Sequence, residues 1–266
     1  MGRISERFRV LRGRGERALV PFVTAGDPDL ATTEAIILAL AESGADLIEL
    51  GVPFSDPIAE GPTIQRASER ALRGKTSLRR VLALVKDLRP KVEIPLLLMG
   101  YANPFYAMGE ENFAKAAAEV GVDGIIVVDL PPEEGSTLFA QVEKRGIDPV
   151  LLAAPTTTPA RREMLAQCTR GFLYYVSLTG VTGARAVLAQ GIRESVNAVR
   201  QVSQIPVCVG FGVSTPEQAR EIAEYADGVV VGSALVSRIA SASSREDAVD
   251  AAARFVAELK AGMGAR

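Results

Sequence analysis

Asp46-Leu-Ile-Glu-Leu-Gly-Val-Pro-Phe-Ser-Asp-Pro-Ile-Ala-Glu-Gly-Pro-Thr-Ile-Gln65 passes from strand to loop to helix. It opens as a short apolar run, Leu47-Ile-Glu-Leu50, with Glu49 set inside it. Gly51 and Pro53 break the run, and Ser55-Asp56-Pro57 and Gly61-Pro62 keep the next residues out of regular structure. Thr63 restarts a helical pattern through Ile64, Ala67, Ala71 and Leu72. A carboxylate therefore stands at a strand's end, and a second, Glu60, lies at the loop's far end. An ionisable group in a buried strand is costly, because desolvation penalises its charged form. Leucine would cost less at 49, so Glu49 is the first candidate for chemistry.

The same alternation extends in both directions. Strand-like runs fall over 18–23, 46–50, 94–99, 121–128, 148–152, 171–177, 206–209 and 227–231. Helical patterns cover 29–43, 63–73, 77–88, 111–119, 132–145, 159–168, 191–202, 215–224, 234–239 and 245–259. Short β-branched runs without a polar face mean strands buried on both sides, as in parallel sheets. About eight of them alternating with helices over ~250 residues is the rhythm of a (β/α)8 barrel. An open doubly wound sheet is the competitor. It lacks its Gly-rich fingerprint here, since Thr24-Ala-Gly-Asp-Pro28 follows the first strand. The expected fold is an α/β (β/α)8 TIM barrel with extra helices after strands 2 and 8. With no linker or composition break, residues 1–266 read as one domain.

The first segment carries six arginines and two glutamates over residues 1–17, with Ile4, Phe8 and Leu11 at helical spacing. It reads as an extra N-terminal helix capping the fold; Glu6 and Glu16 weaken the alternative of an Arg-rich transit peptide.

Composition removes several functions. A net charge of −2 argues against general nucleic-acid binding, which needs a basic surface. No apolar run approaches the ~20 residues of a membrane span. Cys168 and Cys208 lack metal-ligand spacing, and so few cysteines suggest a reducing compartment, hence a cytoplasmic protein. The chain has no histidine, which excludes Ser-His-Asp and Cys-His nucleophiles and the common His-bearing zinc sites. Acid–base chemistry falls to carboxylates, Tyr or Lys. Nothing calls for a metal or a cofactor held by this chain.

In a barrel the active site lies at the C-terminal ends of the strands. Those ends carry Phe22, Glu49, Tyr101, Asp129, Tyr174, Gly210 to Gly212, and Gly232-Ser233. The glycine turns after the last two strands fit a phosphate site, because backbone N–H groups there approach an anion closely and Gly232-Ser233 opens a helix; tight turns without a ligand are the alternative. The long hydroxyl-rich loop after the sixth strand, 177–186, fits a lid that excludes water, or a flexible surface loop. Phe22, Tyr101 and Tyr174, with Leu98 and Val127 as further candidates, can line a flat apolar pocket. The substrate this suggests has an aromatic head and a phosphorylated tail.

These residues resemble a known family. Leu50-Gly-Val-Pro-Phe-Ser-Asp-Pro57 with Gly61-Pro-Thr-Ile-Gln65 is similar to the signature of the tryptophan synthase α chain. The likeness continues through Pro21-Phe-Val-Thr-Ala-Gly-Asp-Pro28, Met99-Gly-Tyr-Ala-Asn-Pro104, Asp129-Leu-Pro-Pro132, Thr179-Gly-Val-Thr-Gly183, Gly210-Phe-Gly-Val-Ser214 and Gly232-Ser-Ala234, in order and over essentially the whole chain. The resemblance implies a (β/α)8 lyase that cleaves indole-3-glycerol phosphate to indole and glyceraldehyde 3-phosphate. It implies a pyridoxal-phosphate β chain as partner in an α2β2 assembly, with no cofactor in this chain. It makes Glu49 the proton shuttle and Glu60 the acceptor of the ring N–H. It places Phe22, Tyr101, Tyr174 and Thr182 on the substrate, and Gly183, Phe211, Gly212, Gly232 and Ser233 on the phosphate. Asp56 and Pro57 fall in the loop facing the β chain.

One departure stands out: the family's usual residue at the N–H carboxylate is Asp, and this chain has Glu60. The extra methylene keeps the charge but moves the oxygens, and misplacement by ~1 Å can cost on the order of 10²-fold in rate. Two other readings follow: a free-standing indole-releasing lyase, and an activating subunit of the β chain with weak catalysis of its own. The loop at Asp56 and the segment 177–190 are expected to be mobile without ligand, both being rich in Gly, Pro or hydroxyl residues.

Overall fold

Strands that are apolar at nearly every position must be covered on both faces, and this chain curls them into a parallel ring wrapped by helices. The computed structural model describes residues 2–176, 185–210 and 212–264. The strands are β1 Ala18–Thr24, β2 Ile48–Gly51, β3 Leu96–Gly100, β4 Gly124–Val127, β5 Asp148–Pro149, β6 Leu151–Ala153, β7 Leu173–Val176, β8 Val207–Gly210 and β9 Gly228–Val231. Their order is β5-β4-β3-β2-β1-β9-β8-β7-β6, and every pairing is parallel. β5 and β6 are one extended run interrupted at Val150. Its first half pairs with β4 and its second with β7, so the ring closes through Val150 as an eight-stranded barrel.

Strand periodicity sorts the side chains into two cores. Ala18, Val20, Leu47, Leu97, Ile126, Val150, Phe172 and Cys208 fill the barrel. Leu19, Val23, Ile48, Leu50, Leu96, Leu98, Ile125 and Val127 face outward against the helices. Helix α1 (Arg3–Gly13) plugs the N-terminal end with Ile4, Phe8 and Leu11, all buried, and Phe8 meets Phe172 at 5.9 Å between ring centroids. Each such side chain contributes roughly 1.5–3 kcal/mol by leaving water. The helical spacing read in this segment therefore serves as a cap on the barrel floor.

The outer layer comprises α2 Leu30–Glu42, α3 Pro62–Arg73, α4 Leu78–Leu88, α5 Ala102–Met108, α6 Glu110–Val120, α7 Ser136–Glu143, α8 Pro159–Cys168, α9 Arg185–Val202, α10 Pro216–Ala223, α11 Ser233–Ala240 and α12 Arg245–Met263. The paired helices after the second and the last barrel strand are as expected, and α5 adds a third extra helix, after β3. Two starts differ from the sequence reading. α9 begins at Arg185 rather than 191, because Gly191 sits inside the helix with open space around it. α7 begins at Ser136 rather than 132, because Pro131 and Pro132 donate no backbone bond and the Pro131 carbonyl closes a turn with the N–H groups of Glu134 and Gly135.

A repeated motif sets the strand register at the floor. Gly44-Ala-Asp46, Gly121-Val-Asp123 and Gly146-Ile-Asp148 each follow a helix, and the residue after the glycine bonds back into that helix, as Ala45 N–H does to the Leu40 carbonyl (3.0 Å). Gly44 (φ +100°) and Gly121 (φ +86°) supply the left-handed turn that only glycine adopts cheaply. In two of them, Asp46 and Asp123, the aspartate clasps the preceding strand at two points, and Asp227, outside the motif, does likewise. Asp46 donates its N–H to the Leu19 carbonyl (2.9 Å) and accepts the Leu19 N–H on its carboxylate (2.7 Å). Asp123 does the same with Leu96, and Asp227 with Val207.

Candidate active site

The site is built at the opposite, C-terminal mouth. On β2 the alternation puts Leu47, Glu49 and Gly51 on the inner face, so Glu49 points into the barrel. Parallel register places it beside Phe22 of β1. Glu49 is 0% exposed, and neither carboxylate oxygen has a hydrogen-bond partner among the described residues. Burial pushes its pKa up to about 8, with the negative charge of Glu60 adding to the effect. The group is protonated at neutral pH and poised to exchange that proton.

Glu60 arrives from the loop between β2 and α3, which folds back over the mouth. The Ala59 N–H donates to the Tyr101 hydroxyl (2.9 Å), and Gln65 Nε2 donates to the Glu60 carbonyl (2.9 Å). Phe54 stacks on Tyr101 at 5.1 Å and 28°. Half-buried, the Glu60 carboxyl is also raised above its ordinary value by desolvation. Both carboxyl groups line one cavity of about 150 Å³, together with Phe22, Ile64, Met99, Tyr174 and Val230. Its other side is lined by Gly210, Gly212, Gly232 and Ser233. Gly232 caps the N-terminus of α11, so that helix turns its positive end to the cavity.

The structure thus brings Glu49, Glu60, Phe22, Tyr174, Gly212, Gly232 and Ser233 together. Tyr101 lines a smaller adjoining pocket instead, with Phe54 and Pro57. Thr182, Gly183 and Phe211, and most of the expected lid, lie outside the described residues. Asp56 is exposed and bonded to the Ser55 hydroxyl (2.5 Å), and the neighbouring Ile58 is 87% exposed.

Two expectations are corrected. Leu98 and Val127 belong to the outer core, since each is one residue out of phase with the inward set; Met99 supplies the lining at that level. Asp129 faces the α5 backbone, accepting the Ala102 N–H (2.8 Å), so it anchors the helix whose N-cap is Tyr101. Ile64, Met99, Val213 and Val230 went unread as lining residues. Period-2 counting from Glu49 and Phe22 would have found Met99 and Val230, while Ile64 comes from a helix across the mouth.

A closed parallel barrel whose cavity is lined by two carboxyls of raised pKa, by apolar side chains and by glycines at a helix N-terminus fits the class of (β/α)8 acid–base enzymes. The comparisons with known proteins narrow this class. Residues 8–264 match the family model described as Tryptophan synthase alpha chain. Proteins of that name from Citrifermentans bemidjiense and Geobacter sulfurreducens are 53% and 49% identical over 263 and 264 residues, each covering 99% of this chain and 98% and 100% of theirs. The crystal structure of tryptophan synthase subunit alpha from Legionella pneumophila superposes with a TM-score of 0.91 at 39% identity, covering 99% of this chain and 98% of that one. The chain belongs to the tryptophan synthase alpha chain family. It is the lyase subunit that cleaves indole-3-glycerol phosphate in tryptophan biosynthesis, of a family that pairs with a β chain to which the pyridoxal phosphate belongs. The reading as a mere activating subunit is not favoured.

Proposed function

We propose that Glu49 moves the protons of the carbon–carbon cleavage and that Glu60 receives the indole N–H. Protonated Glu49 gives its proton to ring C3, and Glu60 stabilises the positive charge that develops on the ring nitrogen. The Glu49 carboxylate then takes the proton of the hydroxyl on the adjacent carbon. The bond from C3 to that carbon breaks, its electrons return to the ring, and the hydroxyl carbon leaves as the aldehyde of glyceraldehyde 3-phosphate. Phe22 and Tyr174, with Thr182, hold the indole. Tyr101 holds Glu60's loop and one flank of the ring. Gly183, Phe211, Gly212, Gly232 and Ser233 receive the phosphate.

The observation that carries this is a wholly buried, unpartnered carboxyl with its pKa near 8 in the apolar half of a cavity whose other half opens on a helix N-terminus. Indole release across pH tests it. Glu49→Gln should remove roughly 10²–10⁴-fold in rate, the range for a positioned acid–base group, and abolish the titration near 8. An unchanged pH–rate profile overturns the assignment.

The assembly we infer is α2β2, with Asp56, Pro57 and the exposed Ile58 presented to the β chain. The chain works as one domain over 1–266. Two free cysteines, and no helix among the described residues long and apolar enough to cross a membrane, support a cytoplasmic location.

A further inference from the structure

Thr24 closes β1 two residues beyond Phe22, on the same inward face. It is 4% exposed, and its hydroxyl oxygen has no hydrogen-bond partner among the described residues. A hydroxyl in that condition is costly, and valine, of the same shape, would avoid the cost. What lies in front of it is a second cavity of about 20 Å³, lined by Thr24, Ser68, Tyr101 and Glu60. That volume accommodates one water molecule.

We propose that Thr24 is a positioning residue for Glu60: its hydroxyl donates to a single water in this cavity, and the water donates to the Glu60 carboxylate. This rests on the reading of Glu60 given above. The bridge fixes one carboxylate oxygen from below and leaves the other for the ring N–H. It also opposes the desolvation that disfavours the ionised form of Glu60. Glu49 reaches Glu60 from β2, Tyr174 from β7 and Tyr101 from the end of β3, and Asp56 lies on its own loop. None of these is a cation, so the carboxylate relies on hydroxyl and water donors in this cavity, and Thr24 is the one whose oxygen has no hydrogen-bond partner among the described residues.

The test is indole release by the full chain with its β chain, across pH, for Thr24→Val, Thr24→Ser and Glu60→Gln, with folding checked by circular dichroism. Thr24→Val should lower kcat about tenfold with KM little changed, as displaced catalytic groups do, and move the acid limb of kcat/KM upward. Thr24→Ser, which keeps the hydroxyl, should restore both. A native rate and pH profile in Thr24→Val overturns the proposal, as does a Thr24→Ser as impaired as Thr24→Val. Should valine prevent folding, Thr24→Ala takes its place with the same expected results. If Glu60→Gln keeps full activity, the role of Glu60 falls and this proposal with it; loss in Glu60→Gln beside a normal Thr24→Val overturns this proposal alone.

Discussion

Gly51 lies directly against Phe22: a Cβ built on Gly51 would stand 2.5 Å from Phe22 Cζ. The glycine two residues beyond Glu49 is thus the space into which the Phe22 ring fits, and the ring walls the cavity that holds both carboxyls. Gly51→Ala should displace the ring, cost about 1–3 kcal/mol by overpacking, and lower kcat/KM for indole release. Adding Phe22→Leu should recover stability. Equal and additive losses in the two single variants and the double variant would show that the residues do not couple.

Glu49 predicts a pH-dependent stability of definite sign. Its carboxyl titrates near 4.5 when exposed and near 8 when folded. The folded state therefore holds its proton more tightly than the unfolded state does. Below about 4.5 both states are protonated and the group is neutral in the balance. Between about 4.5 and 8 the unfolded chain ionises first, so stability falls as pH rises, and above 8 the full cost is present. Glu49→Gln removes that dependence. Its stability relative to the native protein, measured by urea unfolding at pH 5 and pH 9, should improve at the higher pH by several kcal/mol, each pKa unit being worth about 1.4 kcal/mol. A difference independent of pH would mean that Glu49 titrates normally in the fold.

Glu60 separates charge from reach. Glu60→Gln keeps the length and removes the charge, and should cost on the order of 10²–10³-fold in kcat, as loss of one preorganised electrostatic contact does. Glu60→Asp keeps the charge and should stay within about tenfold of native, because the loop that carries it can close by that distance. Indole release with and without the β chain measures both. A rise of tenfold or more in Glu60→Asp alone would mean that this chain has given up intrinsic rate and depends on its partner.

Much of this was legible because it rests on local contrasts. Glu49 announces itself as a charge inside an apolar strand, and the eight repeats announce a barrel because strands buried on both faces have no polar side. What escaped depends on distant partners. Helix α5 starts right after Tyr101, and its first N–H is satisfied by Asp129 from the turn beyond β4. Leu98 and Val127 were a matter of phase, and one residue decides which core a strand side chain enters. The Gly-x-Asp repeats stood in the sequence unread, since their meaning is a clasp on the preceding strand that only the register reveals.

Tyr101 ties the mouth to its loop. Tyr101→Phe removes the acceptor of the Ala59 N–H but keeps the stack on Phe54. A net loss of about 1 kcal/mol at that bond is expected. Because the loop holds Glu60, the loss should show as a higher KM and faster proteolysis between 53 and 61, with overall stability little changed. Proteolysis and KM both at native values would show that the loop is held elsewhere.

The floor of the barrel should answer differently from the mouth. Asp46 is wholly buried and accepts from Arg7 (2.6 Å), Lys260 (2.7 Å) and the Leu19 N–H (2.7 Å), joining α1, α12 and the β1–β2 register in one group. Asp46→Asn retains one acceptor oxygen but leaves two cations facing an amide, and breaking a buried ion pair from one side costs about 3–5 kcal/mol. Conservation of function at the mouth should accompany that loss, since the floor of such a barrel serves stability and the mouth chemistry. Urea unfolding should therefore shift strongly, while kcat and KM, measured where the variant remains folded, stay near native. A comparable fall in kcat would mean that strand register set at Asp46 is transmitted along β2 to Glu49, three residues away.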